Sequence, residues 1–200
     1  MRPSALHGKR INIFMQQTTH NYDVVLADPP WQYHGATDKW GAAEKFYRTM
    51  RDEDLLAFRG VTDRLSSHGV AFVWATCPRL DFAIHCIEKW GLHYRGVAFV
   101  WVKARKDGLP IGAQGVRPSI VKPTTELVLA CSRVARGRPM TLASECVSQV
   151  VMAPRREHSR KPDEVYERIE ALYPAATRIE LFARHRRAGW DAWGDELGNT

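Results

Sequence analysis

An aspartate, two prolines and a tryptophan follow one another at Asp28, Pro29, Pro30 and Trp31, directly after the apolar residues 24–27. Proline fixes φ and carries no N–H, so this corner is stiff, and we expect its carbonyl groups to be free to accept hydrogen bonds. The carboxylate is a further acceptor, and the indole offers a flat face for a planar ring. Together the four residues suit an amino group on an aromatic base.

The chemistry that such a corner favours is alkylation of an aryl amine. That nitrogen is a weak nucleophile because its lone pair conjugates with the ring. Two acceptors that hold its hydrogens would localise the lone pair, and the nitrogen could then attack an electrophilic methyl group in line. Orientation and electrostatics would supply most of the rate, with Asp28 as an ionised acceptor. For an isolated Asp-Pro-Pro, the alternative is an Asx-type turn beside a buried tryptophan.

Short apolar runs that mostly lack alternation predict the strands that must position this corner. Such runs suit strands covered on both faces, as in a parallel sheet between helices. Because ligands of such sheets bind beyond the carboxyl ends of the strands, Asp28 is expected at the mouth of a cleft. The runs are YDVVLAD, GVAFVWAT, RGVAFVWVKA, TELVLACS, QVVMAP and RIELFAR.

Helical patterns lie between several of these strands. Leu80, Ile84 and Ile87 recur at helical spacing, and Gly91 can close that helix. Pro162 fits the first position of another helix, with acidic residues in its first turn. Strands that alternate with helices predict an α/β fold with a doubly wound, mostly parallel sheet.

Two long polar stretches, residues 32–45 and 106–122, are rich in glycine or proline. Long polar loops in a compact α/β domain are often functional lids. We therefore expect both loops to border the site.

The composition fits a soluble globular protein of one domain, residues 1–200, with 44% hydrophobic residues and 26% charged residues. No apolar run is long enough for a membrane span, and the first residues lack the apolar core of a secretory signal. We expect a cytoplasmic protein. The four cysteines lie far apart without a CxxC pattern, so neither a metal site nor a disulfide framework is expected.

The net charge is +7, and part of the excess is concentrated in two clusters. A polyanionic partner would explain both clusters, although a solvated basic face is equally compatible with the pattern alone. The candidate nucleic-acid-binding residues are Arg155, Arg156, His158, Arg160, Arg186 and Arg187.

Several blocks of the chain resemble the DPPW adenine methyltransferases, the "MT-A seventy" family. This family includes the catalytic subunit of mRNA adenosine methyltransferase and DNA-modifying relatives in bacteria and phages. The blocks occur in the family's order and cover nearly the whole chain. They are ADPPW, FVWATCP, FVWVK, APRREHSRKPDEVYERIE, IELFAR and GWDAWGDE.

The resemblance implies a Rossmann-like, circularly permuted class I methyltransferase fold, with the catalytic strand early in the chain and the cofactor strand late. It implies S-adenosylmethionine as methyl donor and N(6) of adenine as acceptor. It also accounts for the absence of a GxGxxG fingerprint from this sequence. RIELFAR would be the late cofactor strand.

Roles at the corner can be carried over residue by residue. The resemblance implies that Asp28 and the carbonyl of Pro29 hold the target amine. Pro30 belongs to the same rigid turn, and Trp31 forms part of the adenine pocket. Asp28 is also a predicted cofactor-binding residue, since the amine and the methyl donor must meet beside it.

The resemblance implies that Lys161 pairs with the carboxylate of the cofactor, and a solvated lysine is the alternative. Glu180 and Arg184 flank the end of the late strand, and one or both should meet the cofactor ribose. Phe182 belongs either to the cofactor site or to the core.

Asp195 and Glu196 should contact the ribose and the adenine of the cofactor. Asp195 departs from the commoner asparagine of the family, so it keeps an acceptor and loses an NH₂ donor. For Glu126, which opens the TELVLACS strand, support of the pocket and a surface charge remain equally open.

The partner implied by the resemblance is nucleic acid, with DNA preferred because a small chain without extensions is similar to the bacterial and phage members. RNA adenosine is the alternative substrate. A catalytically silent nucleic-acid-binding subunit of the same fold is an alternative of another class, and methylation of a protein or small-molecule amine is a third. A homodimer is one possible oligomeric state, which the sequence leaves open.

Overall fold

The computed structural model describes residues 21–32, 49–113, 120–156 and 160–197. Most of the first predicted loop, part of the second, and His158 lie outside these ranges. The lid prediction for the first loop and the nucleic-acid prediction for His158 therefore stay predictions.

Seven strands and four helices make up the described part of the chain. The strands are β1 (Tyr22–Ala27), β2 (Leu65–Thr76), β3 (His93–Ala104), β4 (Thr125–Ser132), β5 (Val150–Pro154), β6 (Arg178–Leu181) and β7 (Asp191–Trp193). The helices are α1 (Asp52–Ala57), α2 (Gly60–Arg64), α3 (Leu80–Lys89) and α4 (Asp163–Leu172), and a 3₁₀ turn, Cys77–Arg79, precedes α3.

The strands form one sheet in the order β5-β3-β4-β2-β1-β6-β7. Only β4 runs antiparallel to its neighbours, β2 and β3, and the other neighbouring pairs are parallel. The prediction of a mostly parallel sheet is confirmed. Because β4 runs in the opposite direction, its first residues lie at the edge where the other strands end.

The two faces of the sheet are covered by different helices, as the doubly wound prediction requires. Val25 and Ala27 of β1 pack in a cluster with apolar residues of α1, α2 and α3. Val24 and Leu26 pack on the other face, in a cluster with Val165 and Ile169 of α4. Alternate residues of a strand point to opposite faces, so a strand buried on both faces must be apolar at every position.

All six predicted strands are present, and one of them ends earlier than the sequence suggests. β6 stops at Leu181, because Phe182 takes a left-handed conformation with φ of 62°. A side chain other than glycine rarely adopts that region, and such strain tends to mark functional sites. The run RIELFAR is therefore a short strand followed by a sharp turn.

Both predicted helices form. α3 ends at Lys89, and Gly91 follows with φ of 78°, the left-handed conformation that favours glycine after a helix. Pro162 is not the first helical residue as predicted but the extended residue before α4, with ψ of 138°. Its carbonyl accepts the first bond of the helix, from the N–H of Val165.

The four cysteines are free thiols, with Cys86 and Cys131 buried and Cys77 and Cys146 exposed. Within the described ranges, no helix is both long enough and apolar enough to cross a membrane.

Candidate active site

The register of β1 and β6 brings two acidic side chains to the same face of the sheet. Leu26 pairs with Glu180, and Leu26 packs in the α4 cluster, so Glu180 also faces α4. Asp28 comes two residues after Leu26, so the alternation of the strand directs it toward the same face. Both carboxylates lie near the carboxyl ends of their strands.

The register of β3 and β4 adds two more charged residues to this face. Glu126 lies opposite Trp101, and Trp101 packs in the α4 cluster. Lys103 comes two residues after Trp101 and points the same way. Glu126 reaches the carboxyl edge of the sheet because β4 is antiparallel and begins there.

Lys161, just before α4, joins these residues into a row of alternating charges. Its Nζ lies 2.9 Å from Asp28 Oδ2 and 3.2 Å from Glu126 Oε2. The other oxygen of Glu126 lies 2.7 Å from Lys103 Nζ. Lys161 is only 11% exposed, so the alternative of a solvated lysine is wrong. The same contacts rule out the interpretation of Glu126 as a surface charge.

Two tryptophans lie beneath the two ammonium groups. Lys161 Nζ is 5.2 Å from the ring centre of Trp74, and Lys103 Nζ is 5.3 Å from that of Trp101. The two indole rings meet edge to face at 6.2 Å. These cation–π contacts help to offset the loss of water around the buried ammonium groups.

The charges of this row reinforce one another. Burial alone would raise the pKa of Glu126, but Lys161 and Lys103 outweigh burial and lower it to about 2. Burial opposes the charge on Lys161 as well, yet Asp28 and Glu126 raise its pKa above the ordinary value. Both groups are therefore ionised at neutral pH.

Glu180 lies in a different environment on the same face. Its Oε1 accepts a hydrogen bond of 2.8 Å from the hydroxyl of Tyr166 in α4. Burial raises the pKa of Glu180 to about 7, and Asp28 adds to that rise, while the Tyr166 hydroxyl, Lys161 and Arg187 oppose it. A carboxyl group in the cleft therefore changes its charge near neutral pH.

The corner at residues 28–31 is held by backbone hydrogen bonds. The carbonyl of Pro29 accepts a bond of 2.8 Å from the N–H of Trp31, and that of Pro30 accepts one of 3.1 Å from Met50. The prediction that these proline carbonyls are free is therefore wrong, because the rigid turn folds the chain back onto its own oxygens. A carbonyl has two lone pairs, so each retains one acceptor position.

Trp31 is almost completely buried, with 3% of its surface exposed. Its indole N–H donates to the carbonyl of Trp74 at 3.0 Å, and its ring packs edge-on against Phe82. In this conformation the ring presents no open face. Stacking of a base on Trp31 stays a prediction that requires the ring to become exposed.

A cleft of about 600 Å³, counted with the space open to solvent, lies over the α4 face at the carboxyl edge. It brings together most of the predicted cofactor residues with three of the candidate nucleic-acid residues. The lining residues are Asp28, Arg160, Lys161, Asp163, Tyr166, Glu180, Phe182, Arg184, His185, Arg186 and Arg187.

Asp195 and Glu196 are exposed and do not line this cleft. Glu196 approaches it through Arg184, whose Nε lies 3.8 Å from Glu196 Oε2. The preceding Gly194 packs so closely on Ala183 that an added Cβ would lie 2.2 Å from its carbonyl oxygen. Glycine is thus required at this position to bring the end of β7 against the end of β6.

The basic residues divide into two groups. Arg187 binds Asp163 at 3.1 Å and Glu170 at 3.2 Å, and Arg156 also pairs with Asp163. These two arginines tie the surrounding loops to α4, so their predicted binding of nucleic acid would have to compete with ion pairs. Arg155, Arg160 and Arg186 are exposed, although Arg160 also lies 3.9 Å from Asp163.

Comparison with known proteins identifies the family of the chain. A family model described as MT-A70 matches residues 22–196. The chain belongs to the MT-A70 family. Its Rossmann-like methyltransferase fold was implied by the sequence resemblance and is confirmed.

Three relatives illustrate how much of a longer protein the chain matches. The chain is 31% identical over 204 residues to the Type II methyltransferase M.MunI of Mycoplasma, and the match covers 92% of this chain and 82% of the relative. It is 31% identical to the N(6)-adenosine-methyltransferase MT-A70-like protein of Arabidopsis thaliana, with 95% of this chain and 26% of the relative covered. For human METTL3, an N(6)-adenosine-methyltransferase catalytic subunit, the identity is 29%, with 88% of this chain and 28% of the relative covered. The chain thus spans less than a third of these longer relatives.

Sequence reasoning missed three residues of this candidate site. Lys103 could have been found, because a charge at the carboxyl end of an apolar strand lies at the same edge as Asp28. Tyr166 lies in the apolar stripe of α4 and is indistinguishable there from a core residue. Trp74 carries no signal in the sequence for its place beneath Lys161.

Proposed function

We propose that this protein transfers a methyl group from S-adenosylmethionine to N(6) of adenine in nucleic acid, and that the nucleic acid is DNA. One observation carries the proposal: the carboxylate of Asp28 lies in a cleft at the carboxyl edge of the sheet, bound at 2.9 Å to the buried Lys161. Membership of the MT-A70 family supports the reaction.

The side chains of the cleft have the chemistry that this cofactor requires. Its carboxylate is matched by Lys161, and its amino and sulfonium groups are matched by the carboxylates of Asp28 and Glu180. Phe182 supplies an apolar surface at the turn after β6. When bound, the cofactor supplies an electrophilic methyl group.

Asp28 would accept a hydrogen bond from the amino group of the target adenine. The second lone pair of the Pro29 carbonyl would accept the other hydrogen. These two contacts would orient the nitrogen lone pair toward the methyl group. Lys161, at 2.9 Å, would hold the carboxylate of Asp28 in place as an acceptor.

The target base must reach this cleft from outside a stacked duplex, so it is either unpaired or rotated out. The exposed Arg160 and Arg186 line the same cleft. We expect them to bind phosphates on either side of the extruded nucleotide, and that binding should weaken as salt rises.

DNA is preferred over RNA because the chain is 31% identical to a Type II methyltransferase of Mycoplasma, and the match covers most of both proteins. The sequence resemblance favours the same bacterial and phage branch.

The test is incubation of the purified protein with S-adenosylmethionine and unmodified DNA or RNA, followed by mass spectrometry of the nucleosides. We expect N(6)-methyladenine in DNA. The variant Asp28→Asn keeps the shape of the side chain and should abolish the product, because it replaces one acceptor oxygen with a donor. Glu88→Gln, at an exposed position of α3, is the matched control and should retain full activity.

The outcomes separate the alternatives. N(6)-methyladenine in RNA alone would mean that RNA, and not DNA, is the substrate. Cofactor binding without product on either nucleic acid would favour a silent binding subunit. Turnover by Asp28→Asn equal to wild type would remove Asp28 from the reaction.

A further inference from the structure

The carboxylate of Glu126 lies between two lysines, and each of its oxygens binds a different one. Oε1 lies 2.7 Å from Lys103 Nζ, and Oε2 lies 3.2 Å from Lys161 Nζ. The plane and the direction of this carboxylate are thereby fixed. Lys161 in turn has Asp28 on its other side, at 2.9 Å.

Lys103 is well placed to set this geometry from outside the cleft. It is not one of the cleft-lining residues, and its side chain is 19% exposed. Its backbone is held on both sides, because its N–H donates to the Thr124 carbonyl at 3.0 Å and its carbonyl accepts from the Ile111 N–H at 2.9 Å. The ammonium group therefore rests on a fixed strand and over the ring of Trp101.

We propose that Lys103 is a positioning residue for methyl transfer. By binding Oε1 of Glu126, Lys103 leaves only Oε2 for Lys161. Lys161 is then shared between Glu126 and Asp28. This inference rests on the proposed function, because Lys161 and Asp28 are the groups assigned there to the cofactor and the amine. Nothing in the role of Lys103 requires contact with either substrate.

The charges explain why the outer lysine matters. Without Lys103, the buried Glu126 would have Lys161 as its one close cation. Lys161 would be drawn toward both oxygens of Glu126 and away from Asp28, and it would be less available to a cofactor carboxylate. Glu126 would also take up a proton more readily, because one of the two cations that lower its pKa would be gone.

The experiment measures the dissociation constant of S-adenosylmethionine by calorimetry, between pH 5 and pH 8. Lys103→Met keeps the aliphatic part of the side chain over Trp101 and removes the charge. We expect binding to weaken roughly three- to tenfold, as for residues coupled in one charge network, and to weaken further toward pH 5. Lys103→Arg should restore wild-type affinity, and Lys89→Met, exposed at the end of α3, is the matched charge control.

A double-mutant cycle distinguishes positioning from general packing. In the Glu126→Gln background, Lys103→Met should change the affinity by less than about twofold, because the contact through which it acts is already gone. The same loss in both backgrounds, or an affinity of Lys103→Met equal to wild type at every pH, would overturn the proposal. If Lys103→Met does not fold, Lys103→Leu, which also lacks both the charge and the donor, is used for the same comparison.

Failure of the wider proposal would look different. A folded wild-type protein that does not bind S-adenosylmethionine would overturn the proposed function and this inference together. Wild-type binding with no coupling between Lys103 and Glu126 would overturn this inference alone.

Discussion

Glu126 and Glu180 are both largely buried, both lie at the carboxyl edge of the sheet and both face α4, yet their acidities differ widely. The pKa of Glu126 is lowered to about 2, whereas that of Glu180 is raised to about 7. Burial acts in the same direction on both. The difference comes from their partners, because Glu126 binds two ammonium groups and Glu180 binds one neutral hydroxyl.

The comparison shows that one face of a sheet can hold a permanent charge beside an adjustable one. Glu126 and the two lysines beside it keep a fixed pattern of charges over the pH range of the cell. Glu180 can be neutral or ionised near neutral pH. A cationic cofactor close to Glu180 would favour the ionised form.

Removal of Lys161 should have the largest effect, because this buried ammonium group is shared by Asp28 and Glu126. Lys161→Met would leave Asp28 and Glu126 as neighbouring carboxylates without their shared cation. We expect the free energy of unfolding to fall by about 3–5 kcal/mol at pH 7, as when one partner of a buried ion pair is removed. Urea denaturation measures the change, with Lys89→Met as the exposed control.

The loss should shrink at acidic pH, where protonation of Glu126 relieves its repulsion with Asp28. A decrease below about 1 kcal/mol at pH 7 is the size expected of a surface ion pair. That result would contradict the buried position of Lys161 between the two acids.

Glu126→Gln should have the next largest effect and should lower the free energy of unfolding. The folded pKa of Glu126 is about 2, against an ordinary value of 4.5. Its ionisation therefore stabilises the fold fully above about pH 4.5, and that contribution is lost as the pH falls toward 2. The difference between the two pKa values corresponds to about 3 kcal/mol at pH 7. Urea denaturation at pH 7 and pH 3 checks both the size and the decline, and an equal loss at both pH values would contradict an electrostatic origin.

The same substitution at Glu180 should have the opposite sign. The folded pKa of Glu180 is raised from 4.5 to about 7, so the unfolded chain loses its proton first and stability falls as the pH rises through this interval. Glu180→Gln removes that penalty and can still accept the bond from Tyr166. We expect no electrostatic gain below about pH 4.5, and a gain of up to about 3 kcal/mol above pH 7.

Melting temperatures of wild type and Glu180→Gln between pH 4 and pH 8 test this sign. Glu88→Gln, at an exposed site of α3, should follow the wild-type curve. Parallel curves for wild type and Glu180→Gln would mean that Glu180 ionises as readily in the folded protein as in the unfolded chain.

The sequence predicted the strands that carry Glu126 and Glu180 better than the contacts that set the acidity of these two residues. The apolar runs located six strands, because strands buried on both faces leave an uninterrupted pattern. Motif resemblance then singled out Asp28, Lys161 and Glu180, and the structure brings all three into one cleft. Neither β7 nor α1 and α2 was predicted, because each is six residues or shorter and carries little periodicity.

The pairing of charges could not be read from the sequence. Glu126 and Lys161 are 35 positions apart, and their contact depends on β4 running antiparallel in a mostly parallel sheet. The occupation of the proline carbonyls by Trp31 and Met50 likewise depends on how the chain returns after the corner. Such contacts follow from topology and register, and residue type alone does not determine them.

Tyr166→Phe should have the smallest effect and would sharpen the contrast between the two glutamates. It removes the hydroxyl that opposes the rise in the pKa of Glu180. We expect the ionisation of Glu180 to move further above 7. The free energy of unfolding should fall by about 1.5 kcal/mol above pH 7, the lower end for a hydrogen bond to a charged group, and by less at pH 5, where Glu180 is protonated in both proteins.

Urea denaturation at pH 5 and pH 8 separates this effect from loss of packing. Tyr173→Phe is the matched control, because Tyr173 is buried at the end of α4 and its pKa is raised by burial against the opposing effect of Arg138, with no contribution from a carboxylate. An equal loss at both pH values for Tyr166→Phe would mean that the hydroxyl serves packing alone. A loss that grows with pH would show that one neutral donor moderates Glu180, where two cations are required to hold Glu126 fully ionised.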